Sequence, residues 1–258
     1  MRLRKSTLAS VLLTLAVGMS ASLQAQPRPE SGEEFGPAPR NADGRVVLGG
    51  ATPAEKGVWT PRFSIFDPVA PVDVVPFKPW AKALYDERQL HELEPHARCK
   101  ASGGSRQFLT PYGVEFVEIT ALQKLYIFDI GGPHTYRVVY MDGRSHPANP
   151  EPSNYGHSVG WWEGDTLVID TVGFNDLTWF DFLGNPHSTE LHTIERYTRI
   201  DYNTLENITT VIDPAAYTQP FTIRFTARLQ PADWDIMEYV CNENNQDVDH
   251  IRGPARLF

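Results

Sequence analysis

Residues 156–173 read "GHSVGWWEGDTLVIDTVG". Two runs rich in β-branched and aromatic side chains flank Glu163-Gly164-Asp165, which reads as a tight connection between two strands, with Gly164 supplying the unusual backbone angle. From Thr166 onward the residues alternate. Thr166, Val168, Asp170 and Val172 share one face, and Leu167, Ile169 and Thr171 the other. Both faces are largely apolar, so Asp170 is expected to be at least half buried, where a carboxylate needs a partner. With the turn at 163–165, position 157 pairs near 171, which leaves His157 and Asp170 diagonal or on opposite faces unless a bulge intervenes.

The same strand pattern extends outward from this hairpin. "GVEFVEIT", "KLYIFDI", "TYRVVYMD", "HSVGWW", "DTLVIDTV", "ELHTIERYTR", "NTLENITTVID", "FTIRFTARL" and "IMEYVCNE" are short runs separated by turn residues such as "GGP", "DGR", "EGD", "DPAAY" and "QPAD". The alternation is cleanest over 221–229, where Phe221, Ile223, Phe225, Ala227 and Leu229 share a face. Many short strands with short connections predict a mainly β protein, an antiparallel barrel shaped as a lipocalin- or calycin-like cup, over 99–258. Two longer inserts, 143–155 and 174–188, are expected to form the rim of its mouth.

Ahead of the barrel, 78–98 reads as helical. Pro79 suits a first turn, Trp80, Ala83 and Leu84 fall on one face, and Pro95 stops the pattern. Residues 26–77 are rich in Pro, Gly and charge and read as an extended or disordered arm. Residues 1–25 have a basic start at Arg2, Arg4 and Lys5, an apolar stretch from Leu8 to Met19 and a small-residue end at Ala25, the layout of a secretory signal peptide. The apolar stretch is short of the roughly 20 residues that span a bilayer; a retained membrane anchor is the other reading. The prediction is therefore a periplasmic or secreted protein, with no membrane attachment after signal cleavage.

The chain has 23 Lys and Arg against 32 Asp and Glu. Taking three basic residues away with 1–25 leaves 20 against 32, a formal charge of −12. Such a surface repels nucleic acid and anionic lipid. The two cysteines, Cys99 and Cys241, have neither C-x-x-C nor zinc spacing. In an oxidising compartment this favours one disulfide between them over a reactive thiol.

"YMDGRSHP", "GHSVGWWEGDTLVIDTVGFND", "HSTELHTIERYTR" and "EYVCNENN" resemble, in the same order, segments of a large group of exported bacterial proteins of uncharacterised function. The resemblance spans roughly residues 76–250, includes "PWAKALYDERQ", and implies no reaction. A second likeness, through Gly-x-Trp at 160–162, is to lipocalin-type barrels.

Three constellations could carry chemistry. The strand carboxylates Asp129, Asp170, Glu195 and Glu238 sit among apolar neighbours, where burial can turn a carboxyl into a general acid or base; pairing with Arg137, Arg196 or Arg224 is the plainer role. The histidines His134, His146, His157, His187 and His192 lie mostly at strand ends or in loops and could converge at one mouth. A histidine beside an acid makes a proton-transfer pair, so His157 and Asp170 are the expected catalytic pair, with Glu195 and His187 in support. Tyr136, Trp162, Phe174 and Trp179 are expected to line the substrate site, a setting for an apolar or aromatic small molecule. His187 and His192 do not have ligand spacing on a strand, and no metal is predicted. "GHSVG" at 156–160 matches G-x-S-x-G by letter, but a hairpin follows it and not a helix. The chain also has no phosphate loop and no dinucleotide fingerprint, so no cofactor is expected. Two functions remain. One is an enzyme acting by cofactor-free acid–base chemistry as an isomerase, lyase or hydrolase. The other is a non-catalytic carrier of a small hydrophobic ligand.

Overall fold

The computed structural model describes residues 35–50, 52, 55–62, 75–92, 95, 99–109, 112–129, 135–236 and 238. The proposed signal peptide, His134, Cys241 and most of "IMEYVCNE" lie outside them. Among the described residues the order is β1 (Val58–Pro61), α1 (Pro79–His91), β2 (Val114–Ile119), β3 (Lys124–Asp129), β4 (Thr135–Tyr140), β5 (His157–Glu163), β6 (Thr166–Val172), β7 (His192–Arg199), β8 (Thr204–Ile212) and β9 (Phe221–Leu229). The nine strands close in chain order into a barrel, with β9 pairing back onto β1. The mainly β barrel with one helix expected from the sequence is therefore present.

Closure with an odd number of strands has a geometric consequence. Neighbours around a ring can all be antiparallel only if their number is even, so at least one pair must be parallel. That pair is β4–β5, joined at Val139↔Ser158 and Tyr140↔Val159; the other neighbours are antiparallel. Parallel neighbours need a crossover connection of roughly a dozen residues or more. The segment from Met141 to Gly156 is that connection, and Ser153 bridges to Phe174 on its way back. An all-antiparallel barrel was expected, although nine runs closed into a ring already require a like-directed pair; Val58–Pro61, within the 26–77 arm, is the strand that closes the ring between β9 and β2.

Burial alternates with period two along β7 and β8, which identifies the lumen-facing set. Thr193, Glu195, Tyr197 and Arg199 point in from β7, and His192, Ile194, Arg196 and Thr198 point out. A short 3-10 helix, Ser105–Leu109, inserts Phe108 into the lumen. Its ring lies 5.9, 5.4 and 5.2 Å from those of Phe116, Tyr197 and Phe225. At this level the barrel is packed, not hollow.

Both ends of the barrel are covered. At one end, Arg40 pairs with Asp165 in the β5–β6 turn and Arg45 with Glu118 at the end of β2. Trp59 Nε1 donates to Leu48 O at 2.6 Å, and Arg199 donates to Val47 O and Gly49 O. At the other end α1 lies against two loops. Trp80 Nε1 donates to Ala215 O, and Arg88 and Gln89 donate to Gly184 O and Leu183 O. Its buried face is Ala81, with Leu84, Tyr85 and Arg88 half-buried beside it. Ala83 and Trp80, expected on the packed face, are exposed; the indole of Trp80 reaches sideways to a carbonyl instead. The cup expected from the sequence is thus capped at both ends by other parts of the chain.

Candidate active site on the outer wall

The β5–β6 connection is one residue tighter than the sequence reading. Glu163 pairs with Thr166, leaving Gly164-Asp165 as a two-residue turn. Gly164 has φ +60° and Asp165 is not among the positive-φ residues, the pattern of a type II′ hairpin. The shorter turn shifts the register so that His157 faces Val172 and Asp170 faces Val159. Since a one-residue slip changes the face of every side chain, His157 and Asp170 stand on the same face. That face is the outer one, because Ser158 and Thr171, hydrogen-bonded to each other at 2.8 Å, are the buried residues between them.

On this wall four side chains form a continuous chain. Asp170 Oδ1 accepts from His192 Nε2 at 2.8 Å and from His146 Nε2 at 3.0 Å. His146 Nδ1 meets His157 Nδ1 at 2.8 Å. His192 comes from β7, His157 and Asp170 from β5 and β6, and His146 from the β4–β5 crossover, which has to pass along the barrel exterior. His157 lies parallel to Tyr140, ring centroids 5.1 Å apart and planes at 22°, and the Arg144 guanidinium lies 4.0 Å from the Tyr140 ring centre. Arg144 is also bidentate to Asp142.

The electrostatics assign the protons. Burial pushes the Asp170 carboxyl up, but the hydrogen bonds from His192 and His146 outweigh it, and its pKa is held below the ordinary 3.8. Asp170 is therefore a carboxylate at neutral pH, and both Nε2 atoms carry their protons toward it. His157 is held below 6.5 by burial and by the neighbouring His146 and Arg144, so it is neutral. With the His146 Nε2–H committed to Asp170, one proton lies between the two Nδ1 atoms; in the arrangement that leaves His157 a base, His157 Nδ1–H donates it and His146 Nδ1 accepts. His157 Nε2 is left with a lone pair and no hydrogen-bond partner among the described residues. A proton received there can pass through His157 and His146 toward Asp170. Among the described residues no set of three or more His, Cys, Asp or Glu side chains is gathered to hold a metal ion; the four groups are strung in a line.

The remaining sequence-predicted residues are distributed elsewhere. Glu195 points into the lumen, where it accepts from Arg137 Nη1 and from Tyr197 OH, both at 2.6 Å. All three are 1–2% exposed. This is the structural pairing with Arg137, and it separates Glu195 from Asp170, since Glu195 pairs with Ile169 and Asp170 with Ile194 across β6–β7. Trp162 also turns inward, with Arg45 over its ring, whereas Trp161 is outside. Tyr136 is outside too, in a cluster with Tyr126 and Phe128. His187, Phe174 and Trp179 lie together beneath the 174–188 insert, lining a separate small cavity. His146 and His192, which sequence reasoning did not assign to the His157–Asp170 pair, complete the site. His192 precedes an odd-numbered inward set, so its outward direction on Asp170's face was readable; the approach of His146 was not.

No family model, no curated protein and no solved structure matches this chain. What defines it is the pairing of a nine-stranded closed barrel with an acid–histidine–histidine chain on its outer wall.

Proposed function

We propose that the protein is an exported enzyme that moves a proton on a small, largely apolar or aromatic molecule, as an isomerase, lyase or hydrolase, using groups of its own chain. His157 Nε2 is the base. His146 relays the proton, Asp170 holds the resulting imidazolium, and His192 fixes the Asp170 carboxylate from the opposite side. The Tyr140 ring, stacked on His157, offers an apolar face beside the base. The observation that supports this reading is the unbroken His157–His146–Asp170 chain, with spacings of 2.8 and 3.0 Å. A base oriented by a second group is the arrangement general acid–base catalysis needs. The carrier reading draws no support from the lumen, which Phe108 and its ring neighbours occupy at mid-barrel.

The test is a panel of enolisable ketones, aryl esters and β-elimination substrates, assayed with the native chain, His157→Ala and Asp170→Asn. Positioned acid–base groups contribute about 10²–10⁴-fold. Both variants should lose about that much on any substrate the native chain turns over. Equal rates for all three proteins would remove the assignment.

A further inference from the structure

The outer faces of β3, β4 and β5 carry a group of rings beside the relay. Alternate residues of a strand share a face. The outward set is Lys124, Tyr126 and Phe128 on β3, Tyr136, Val138 and Tyr140 on β4, and His157 on β5. The antiparallel register sets Tyr126 opposite Val138 and Lys124 opposite Tyr140. The parallel register of Val139 with Ser158 sets Val138 beside His157. Val138 is therefore the small residue among rings. Tyr136 and Tyr140 flank it along its own strand, and Tyr126 and His157 stand on the strands to either side.

These rings gather into two groups. Tyr126, Phe128 and Tyr136 have centroids 6.0, 5.9 and 6.1 Å apart. Tyr140 lies 5.1 Å from His157. Among the described residues no ring contact joins one group to the other, which leaves a shallow cleft between them with Val138 as its floor. Tyr136 is 57% exposed, so the cleft is open to solvent.

Its lining says what fits. Ring walls and an apolar floor suit a single aromatic ring. At one corner Lys124 Nζ stands 5.6 Å from the Tyr140 ring centre, and among the described residues no carboxylate pairs with it. Arg144, over the same ring, is already bound to Asp142, and Asp170 is held by two histidines. Glu115, opposite Phe128, stands at the other end of β3. An ammonium without a counter-ion beside an apolar cleft is complementary to a carboxylate attached to a ring. Lys124 and Val138 are diagonal neighbours, about 7–8 Å apart, the span of a phenyl ring with a short acid chain.

We propose that this cleft is the substrate subsite of the relay and takes a small aryl acid, with the ring over Val138, the carboxylate on Lys124 and an acidic C–H between them at His157. The assignment rests on the reading of His157 as the base. A 3-aryl-2-oxo acid has such a C–H, next to its ketone. His157 Nε2 takes a proton from C3. The C–H electron pair becomes the C2–C3 double bond as the carbonyl pair moves onto oxygen. The imidazolium then returns the proton to that oxygen, giving the enol with no other reactant consumed.

Binding and turnover are measured separately. The native chain is titrated by ¹H–¹⁵N NMR with 3-phenylpropanoate, which has no ketone to enolise, and with its neutral counterpart 3-phenylpropan-1-ol. The acid should bind about two- to fivefold more tightly, with amide shifts centred on Val138 and His157. Lys124→Met should abolish that difference, and Val138→Phe should weaken both ligands. Enolisation of phenylpyruvate, followed by enol absorbance, should fall about 10²-fold in His157→Gln, which should still bind the acid. Equal affinity for acid and alcohol, a difference that survives Lys124→Met, shifts centred away from β3–β5, or no turnover of phenylpyruvate above buffer would each overturn the proposal. Binding as expected, with phenylpyruvate turned over equally by the native chain and His157→Gln, would keep the subsite and overturn the base.

Discussion

His146 and His157 meet nitrogen to nitrogen, Nδ1 to Nδ1, at 2.8 Å, so one proton is shared between rings held by different elements. His157 is fixed in β5, and His146 arrives on the crossover. The direction of that shared proton decides which nitrogen of His157 faces solvent as a base.

Removing His146 should release that choice. In His146→Ala, His157 loses its Nδ1 partner, and the ring ¹⁵N shifts should move from a single tautomer toward a mixture. Turnover of any relay substrate should drop about 10²-fold. Unchanged ¹⁵N shifts at His157 would show that His146 does not set the tautomer.

The Arg137–Glu195 pair is buried, with Tyr197 as a third member. Breaking one partner of a buried pair leaves a lone charge out of water, at a cost of about 3–5 kcal/mol. Glu195→Gln should show a loss approaching that in urea unfolding. The double change Arg137→Met, Glu195→Leu should lose less than Arg137→Met and Glu195→Leu summed.

Phe108→Ala should cost about 3–5 kcal/mol, as for other large aromatic truncations in cores. It should also open an apolar space in the lumen. Binding of a small apolar probe such as benzene, absent from the native chain and gained by the variant, would report that space by calorimetry.

His187 and His157 both have folded-state pKa values below 6.5. In the unfolded chain they protonate near 6.5, so between the two values the unfolded state binds more protons. Their contribution to stability is complete above pH 6.5 and is lost as pH falls through the folded values. Asp170, lowered from 3.8, acts with the same sign further down: its contribution is present above pH 3.8 and lost as pH falls below it. Thermal melts of His187→Asn between pH 7.5 and 5 should therefore show a shallower decline than the native chain. An identical slope would show that His187 titrates alike in both states.

Cys99, at φ +55°, is described, while Cys241 lies outside the described residues, so their pairing is a prediction from sequence. Without reductant, the denatured protein should show no free thiol, and reduction should lower the melting temperature. A loop this long is worth about 4–5 kcal/mol in the entropy model. Two titratable thiols in unreduced protein would exclude the bond.

Strands β2 to β9 were legible because each alternates or carries a β-branched run between turn residues. Val58–Pro61 was not: a four-residue strand ending in proline has too little pattern, and pairing with β9 and β2 is what makes it a strand. Nor was it legible which neighbours run in the same direction: the nine runs of the sequence, closed into a ring, required a parallel pair but did not say where, so 143–155 read as rim and not as a crossover bringing His146 to Asp170. Residue type singled out His157 and Asp170, but the two do not meet directly; His146 stands between them. Their shared face depended on whether the turn holds two residues or three, which Glu-Gly-Asp does not distinguish. Glu195 shows the converse case, a carboxylate in a strand whose partner, Arg137, is 58 positions away.

Because a ring of nine strands must contain one like-directed pair, the link between β4 and β5 has to travel the outside of the wall, and it is free to change length there without disturbing a single rung of the ladder. Descendants of this chain could thus lengthen, shorten or rewrite that strap and acquire different reactivity, while the staves beneath keep their alignment.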